Sequence, residues 1–287
     1  MLAVDGPAKP IGNLGPADRW ILSRTESITV EVTALLNNHL YGEAGRQLRE
    51  FVWSELCDWY IEASKVRGRA SIEEQRAVAQ TLAYVLERSV RLLHPFIPFA
   101  TEALWQALPH VGESIVVSTW PLAGERDAAA EENFNVLIEL VRSIRNVRAE
   151  AAVEPARWIA ADIYAGNRTP AFEELRPELA QLARIADDQL TFKSGEPNHA
   201  DQAVTVVAAD VVATLPLAGL VDLDAERVRL EKELIAAQEE QGRATASLNN
   251  EAFVSRAPAQ VVDQQRNRLR VANEQIEVLT KRLGMLG

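Results

Sequence analysis

The 287-residue sequence has one cysteine, Cys57. A single cysteine excludes an internal disulfide bond and any zinc site built from several cysteines. The opening residues MLAVDGPAKPIGNLG have neither a basic start nor a long apolar core, and no later run is long enough for a membrane-spanning helix. We therefore expect a cytoplasmic protein that acts away from membranes.

Common catalytic and nucleotide-binding motifs are also missing. The sequence has no GxGxxG, no GxxxxGK[ST] and no GxSxG pattern. His39, His110 and His199 are scattered and suggest no metal site. We predict no catalytic residue, no metal ligand and no cofactor for this chain.

Positive charge is scarce, since the formal net charge is −11. The charge is −4 over residues 1–125, −6 over 126–221 and −1 over 222–287. Because nucleic-acid binding depends on positive charge near the phosphates, a nucleic-acid partner would have to meet a local basic patch.

Helical periodicity is present through the first half of the chain. A Pro/Gly-rich linker, residues 1–16, precedes a helical domain at 17–150, with Asp18 as a candidate N-cap. The clearest helix has one apolar face, and a further helix is predicted over 128–149. That apolar face consists of Leu48, Phe51, Val52, Leu56, Trp59, Tyr60 and Ala63.

The pattern changes after residue 150. Short β-rich runs, WIAADIY, LTFK, VTVVA and VVATLPL, with a helix at 171–186, predict a small α+β stem domain over 151–220. Residues 221–287 contain two apolar heptad series joined by NNEAFVSRAPAQ, which predicts an antiparallel coiled-coil hairpin. The expected fold class is therefore mainly α.

The stretch LLHPFIPFATEALWQAL, residues 92–108, holds the strongest candidate for acid–base chemistry, His94 with Glu102. The alternative is a joint between two helices, because Pro95 ends one helix and Pro98 suits the first turn of the next. We favour the joint, with His94 at a helix end. Cys57 flanks an apolar face, and we expect it to be a small buried thiol rather than a nucleophile.

Basic and aromatic side chains suggest binding rather than catalysis. Arg142, Arg145 and Arg148 lie on or beside the apolar face of the 128–149 helix, as a phosphate clamp or as partners of acids such as Glu150 and Glu154. Tyr41, at a corner between helices, is either a core-edge residue or a stacking platform for an unpaired base.

Several segments resemble one family when they are taken in order. ADRWILSR at 17–24, FVWSELCDWYIEASK at 51–65 and residues 92–108 resemble the helical anticodon-binding domain of class I aminoacyl-tRNA synthetases of the valine, isoleucine and leucine group. Residues 143–159 look like the exit into its stem. Residues 215–234 and LNNEAFVSRAPAQVV at 248–262 are similar to the valyl-tRNA synthetases in particular.

The resemblance covers the chain from about residue 14 to its end, but the HIGH and KMSKS signatures and the editing domain are missing. It implies the C-terminal portion of such a ligase, with ATP and Mg²⁺ bound elsewhere in the parent enzyme. The implied partner is valine tRNA, with no DNA and no membrane, and we expect a monomer. The helical bundle would hold the anticodon loop and the coiled coil the tRNA elbow.

The resemblance also directs the choice of site residues. For the anticodon loop these are Arg24, Tyr41, Arg46, Leu104 and Trp105, the last two either lining the groove or buried. For the tRNA backbone they are Arg142, Arg145 and Arg148, and for the elbow Arg256, Arg266, Arg268 and Arg270. The alternative is a helical and coiled-coil scaffold that recruits a protein partner without any role in tRNA binding.

Overall fold

The structure is a computed structural model, and it describes residues 9–10, 12–197, 203–216, 223–250 and 259–284. The chain forms two compact units, Met1–Pro216 and Leu217–Gly287. Most of the linker predicted at 1–16 and the hairpin tip with Arg256 lie outside the described residues. The domain boundary expected near residue 150 stays a prediction, because both of its sides fall within the first unit.

Helices dominate the first unit. None in the described part of the chain is long and apolar enough to cross a membrane. The helices of the bundle are α1 (Pro16–Asn37), α2 (Tyr41–Glu50), a π-helical segment (Phe51–Tyr60), α3 (Ile61–Gly68), α4 (Ile72–Leu93), α5 (Pro98–Ala107) and α6 (Ala128–Glu150), with a 3₁₀ turn at Ile115–Val117.

The first helix begins earlier than predicted. Gly15 is the N-cap, Pro16 lies in the first turn, and Asp18 is the third helical residue rather than the cap. Its carboxylate accepts the Gly15 amide N–H at 3.0 Å, which satisfies a donor that the helix itself leaves unpaired. Asp18 is buried and also accepts the Tyr60 hydroxyl at 2.7 Å, so it ties α1 to the π-helical segment.

The predicted apolar face forms the centre of the bundle. Leu48, Phe51, Leu56, Tyr60 and Ala63 are almost fully buried. The ten residues Phe51–Tyr60 are π-helical, which the apolar spacing does not reveal because it fits both helix types over so short a run. The Trp20 ring stacks on Phe134 of α6, with centroids 4.2 Å apart, which joins the first and last helices of the bundle.

A four-stranded sheet follows in the same unit. Its strands are β1 (Ile159–Tyr164), β2 (Ile185–Phe192), β3 (Ala203–Ala208) and β4 (Val211–Pro216), in the order β2-β1-β4-β3. The β1 and β2 strands are parallel, and the other neighbours are antiparallel. The crossover between β1 and β2 contains α7 (Thr169–Glu174) and α8 (Arg176–Ala183). The mixed sheet confirms the predicted α+β part.

The single helix predicted at 171–186 is wrong in two respects. Prolines lie in the first turns of α7 and α8, so the segment breaks into two helices. Arg184 then adopts a left-handed conformation with φ of 58°, which ends α8, and Ile185 already belongs to β2.

The second unit is a pair of helices, α9 (Leu223–Asn249) and α10 (Ala259–Gly284), that pack along each other. The predicted seam is confirmed where side chains are described, since Leu230, Ala237 and Ala244 of α9 face Val262 and Ala272 of α10 with almost no exposure. If the seam residues Leu230, Ala237 and Ala272 are taken as d positions of the heptads, residues 233 and 240 of α9 and 275 of α10 occupy g positions. These three residues line one groove. Adjacent g positions require antiparallel helices, because parallel pairing places g beside e.

Candidate nucleic-acid interface

The corner before α2 presents an exposed aromatic ring. The Tyr41 side chain is 55% exposed, and its only ring contact in the described part of the chain is an edge-on one with His39, at 6.0 Å between centroids. Tyr41, Gly45 and Arg49 fall at i, i+4 and i+8 and share one face of α2. Arg49 is exposed and has no carboxylate within ion-pair distance among the described residues. This face can therefore offer a stacking surface and a free cation.

The joint between α4 and α5 lies beside this face. A Cβ built on Gly45 would approach the Phe96 ring to 3.3 Å, so the absence of a side chain at Gly45 permits close packing of α2 on the joint. His94 ends α4, and its Nδ1 lies 2.8 Å from the Thr101 hydroxyl. Glu102 accepts hydrogen bonds from Gln106, Ser114 and the Ile115 amide, which hold its pKa below the ordinary value. His94 and Glu102 thus both have structural partners.

The α4–α5 joint has one buried aromatic side chain and several exposed apolar ones. Trp105 is buried and donates its indole N–H to Glu87 of α4 at 3.2 Å. It therefore holds α5 against α4 and is not accessible to RNA. Ile97, Phe99 and Leu104 of the same joint are 46%, 92% and 55% exposed. Leu104 thus stays accessible, and Phe99 and Ile97 extend the apolar surface.

Two arginines predicted for the anticodon loop have carboxylate partners. Arg24 donates two hydrogen bonds to Glu55, at 2.7 and 3.0 Å, and lies 3.4 Å from Glu131. Burial disfavours its charged form, but Glu55, Glu31 and Glu131 raise its pKa above the ordinary value. The charge of Arg24 is therefore compensated within the protein.

Arg46 lies on the surface between two acids of its own helix. It bonds Glu43 at 2.6 Å and Glu50 at 2.9 Å, and it remains half exposed. The hydrogen bond to Arg46 lowers the pKa of Glu43 to about 2. Exposed pairs of this kind contribute little to stability, so a phosphate could replace either acid.

Cys57 does not occupy the predicted buried position. It is exposed, whereas Phe51 and Leu56 of the same π-helical segment are buried. Partial burial and the neighbouring charge of Asp58 raise the pKa of its thiol. A raised pKa keeps the thiol protonated and argues against a nucleophilic role.

The three arginines at the end of α6 do not pair with Glu150 or Glu154 carboxylates. Arg142 and Arg145 lie over the Trp59 ring, at 5.4 and 5.3 Å from its centroid. Arg145 donates to the Leu182 carbonyl at 2.8 and 3.1 Å. Arg148 is buried and donates to the carbonyls of residues 154, 157 and 184, so its guanidinium is engaged by the protein backbone.

Arg184 is a basic residue that the sequence does not single out. It is exposed, and its guanidinium lies 5.6 Å from the Trp158 centroid. A pocket of about 430 Å³ between α3, α6 and α8 is lined by Arg145, Arg148 and Arg184 together. Because the pattern predicts a helix through 171–186, the turn that brings Arg184 back towards α6 cannot be foreseen from it.

The arm arginines lie on two sides of the helix pair. Arg266 and Arg270 occupy e and b positions, whereas Arg268 occupies a g position on the side of the groove. Arg266 pairs with Asp263 at 3.3 Å and Arg270 with Glu274 at 2.6 Å, all of them exposed. One RNA strand on the arm would therefore meet either Arg266 with Arg270, or Arg268.

Metal-ligand clusters do not appear in the part of the chain that the structure describes. A group of three or more His, Cys, Asp or Glu side chains that could hold an ion is not found there.

Two family models match the chain. Residues 18–163 match the anticodon-binding domain of tRNA ligases, which is more than half of the chain. Residues 222–287 match the tRNA-binding arm of valyl-tRNA synthetases. The first match covers the helical bundle and enters β1, and the second covers the helix pair.

The chain is similar to several proteins called valine–tRNA ligase. It is 35% identical to the one from Bacillus subtilis over 96% of the chain and 32% of that relative. It is 37% identical to the Streptomyces coelicolor protein over 99% of the chain and 31% of the relative. It is 38% identical to the Nocardia farcinica protein over 99% of the chain and 32% of the relative. The chain thus spans about a third of the length of these relatives.

Proposed function

We propose that this chain, which belongs to the valyl-tRNA synthetase family and carries its anticodon-binding domain and C-terminal tRNA-binding arm, binds valine tRNA through both parts. The observation that carries the proposal is that each of the two compact units matches a family model described as tRNA-binding or anticodon-binding. A protein scaffold without an RNA ligand would not require both.

The surface of α2 and the α4–α5 joint supports an anticodon-loop site. Unpaired RNA bases stack on aromatic rings and pack on apolar surface, and Tyr41, Phe99 and Leu104 are all more than half exposed. Arg49 and Arg46 lie on the same helix as Tyr41 and can meet the loop phosphates. In our proposal the loop bases contact Tyr41 and the exposed apolar side chains of the α4–α5 joint. Arg24 and Trp105 support this surface from within the protein and do not contact the bases.

The arm supports a second contact at the tRNA elbow. Its α10 helix of 26 residues is about 39 Å long at about 1.5 Å per residue, so its exposed arginines are spread along a long surface. Surface ion pairs such as Arg270 with Glu274 contribute about 0–1 kcal/mol, so they cost little to exchange for a phosphate.

The chain, in this proposal, contributes RNA binding rather than chemistry to valyl-tRNA formation. His94, Glu102 and Cys57 are the groups that could suggest catalysis. The hydrogen bonds of His94 and Glu102 and the raised pKa of the Cys57 thiol support a structural or inert role for them. Binding of ATP and Mg²⁺ would then belong to other parts of such a ligase.

The experiment is a titration of a fluorescently labelled valine tRNA transcript with the full chain at several salt concentrations. A second transcript carries a foreign anticodon in the same tRNA body. We expect binding that weakens steeply with salt and that is weaker for the foreign anticodon.

Sedimentation of the same samples tests the competing function. A chain that dimerises with concentration and does not respond to either transcript would contradict the proposal and favour a protein scaffold. Equal affinity for both transcripts would contradict only the anticodon-loop contact.

A further inference from the structure

The pocket between α3, α6 and α8 has an unusual concentration of arginine on its walls. Arg145 and Arg148 approach from α6, Arg184 approaches from the end of α8, and Glu62 lines the α3 side. Two tryptophans flank this pocket, since Trp59 lies beneath Arg145 and Trp158 beneath Arg184. Both guanidinium planes are therefore held over rings near the same cavity of about 430 Å³.

The positive charge of these arginines is not compensated by acids. Among the described residues, none of the three has a carboxylate within 4 Å, and the hydrogen bonds of Arg145 and Arg148 go to neutral backbone carbonyls. Glu62, the acid among the residues that line the pocket, already pairs with Lys65 at 2.5 Å. The pocket therefore retains a positive field.

The arginines also repel each other. Burial lowers the pKa of Arg148 below its ordinary value, and the charges of Arg184 and Arg145 lower it further. Burial likewise lowers the pKa of Arg145, with Arg142 adding to the effect and Glu62 opposing it. Because a bound anion would relieve both the burial and the repulsion, the pocket favours a negatively charged occupant.

Free donors remain for such an occupant. Arg145 uses its Nε and one terminal nitrogen on the Leu182 carbonyl, which leaves its other terminal nitrogen. Arg184 makes no hydrogen bond through its guanidinium among the described residues, and its side chain is held only over Trp158. Forked guanidinium donors suit the tetrahedral oxygens of phosphate. Arg148 has its donors on three carbonyls and acts as a buried positive charge.

We propose that this pocket is a phosphate-binding site, in which Arg145 and Arg184 contact the phosphate and Arg148 supplies charge from behind. The phosphate belongs either to the RNA backbone or to a free phosphorylated small molecule. The RNA source rests on the proposed function, whereas the phosphate site itself does not.

The first measurement is a titration with inorganic phosphate at constant ionic strength, followed by tryptophan fluorescence. Trp158 lies under Arg184 and is 45% exposed, so phosphate binding should change its emission, and Trp158→Phe should remove that signal. We expect saturation in the parent, loss in Arg184→Gln and no loss in Arg176→Gln.

Arg176→Gln is a matched control, because Arg176 is the first residue of α8 and Arg184 follows its last residue. Arg176 also lies over an aromatic ring, at 5.0 Å from the Phe192 centroid, but it has an acid, Asp187, at 3.9 Å. A parent that shows no saturable response, or Arg184→Gln and Arg176→Gln responding alike, would overturn the phosphate site.

Replacing Glu62 by Gln tests the charge argument without removing an arginine. Glu62→Gln removes the acid from the pocket and releases Lys65, so we expect phosphate affinity to rise by a few fold. An unchanged or lower phosphate affinity in Glu62→Gln would contradict a phosphate site in this pocket.

Labelled valine tRNA distinguishes the two sources of phosphate. If the RNA backbone occupies the pocket, Arg184→Gln should weaken tRNA binding several fold and lower the slope of log affinity against log salt by about one, unlike Arg176→Gln. Phosphate binding with unchanged tRNA affinity would assign the pocket to a free ligand. A parent that binds no tRNA would remove the proposed function, and the phosphate titration would still decide the pocket.

Discussion

At the scale of single residues, the arginines differ in whether a carboxylate lies close to the guanidinium. Arg24 is enclosed by Glu55, Glu31 and Glu131, whereas Arg184 and Arg49 have no carboxylate partner in the described part of the chain. Because a charge that is already compensated gains little from a phosphate, the accessible and uncompensated arginines are the better candidates for RNA contact.

The aromatic ring of Tyr41, rather than its hydroxyl, should contribute to tRNA affinity by stacking on a base. Replacement of Tyr41 by Ala should weaken valine tRNA binding by about 1–3 kcal/mol, the usual value for one stacked base, whereas Tyr41→Phe should bind like the parent. The measurement is fluorescence anisotropy with the labelled transcript at fixed salt. Equal losses for Ala and Phe would point to the hydroxyl, and no loss for either would remove Tyr41 from the site.

Glu178 should make stability depend on pH. Burial raises the pKa of Glu178 to about 7, opposed by its own amide and by Arg67 and helped by Asp18. Its Oε2 has no hydrogen-bond partner among the residues that the structure describes. The folded state then holds a proton that the unfolded state has released. Stability from this group is thus complete below the ordinary carboxyl pKa and is lost as the pH rises through 7.

Glu178→Gln should remove that dependence. Relative to the parent, the variant should gain on the order of 3 kcal/mol of unfolding free energy between pH 4.5 and pH 8. Urea unfolding of both proteins at several pH values measures the difference, in which the other titrating groups cancel. Parallel curves for parent and variant would contradict the raised pKa.

At the scale of elements, the proline-bounded joint and the turn after α8 show that the ends of helices create accessible surface. The α4–α5 joint leaves Phe99 and Ile97 exposed instead of burying them, and the turn after α8 brings Arg184 to the pocket beside α6. Both features arise where a helix ends.

The helix pair of the arm should depend on its small seam residues. Ala244 is 1% exposed, and Ala244→Asp would bury a carboxylate without a partner. We expect the arm to lose its helical pairing, seen as reduced helical circular dichroism. Ala246→Asp, on the exposed side of the same helix, is the control and should behave like the parent. Equal spectra for the two variants would contradict the packed seam.

At the scale of the whole molecule, periodicity predicted the architecture better than the site. The apolar face from Leu48 to Ala63 and the heptads of the arm are repeated patterns, and the structure confirms both. The site depended on single positions. Burial of Trp105 and Arg148, exposure of Cys57 and the left-handed turn at Arg184 follow from tertiary packing, which one-dimensional spacing does not record.

The net charge of −11 is compatible with RNA binding only through such local sites. In the first unit these are the face of α2 with the joint and the arginine pocket, and in the second unit the arginines of α10. We therefore expect the protein to contact a few separate parts of the tRNA rather than one continuous stretch of it.

Hydroxyl-radical footprinting of valine tRNA bound to the full chain measures where these contacts fall. We expect protection of the anticodon loop and of the elbow, with the loop protection reduced in Tyr41→Ala and the elbow protection unchanged. Absence of protection at both places, or protection of the loop that Tyr41→Ala and the foreign anticodon leave intact, would contradict this expectation.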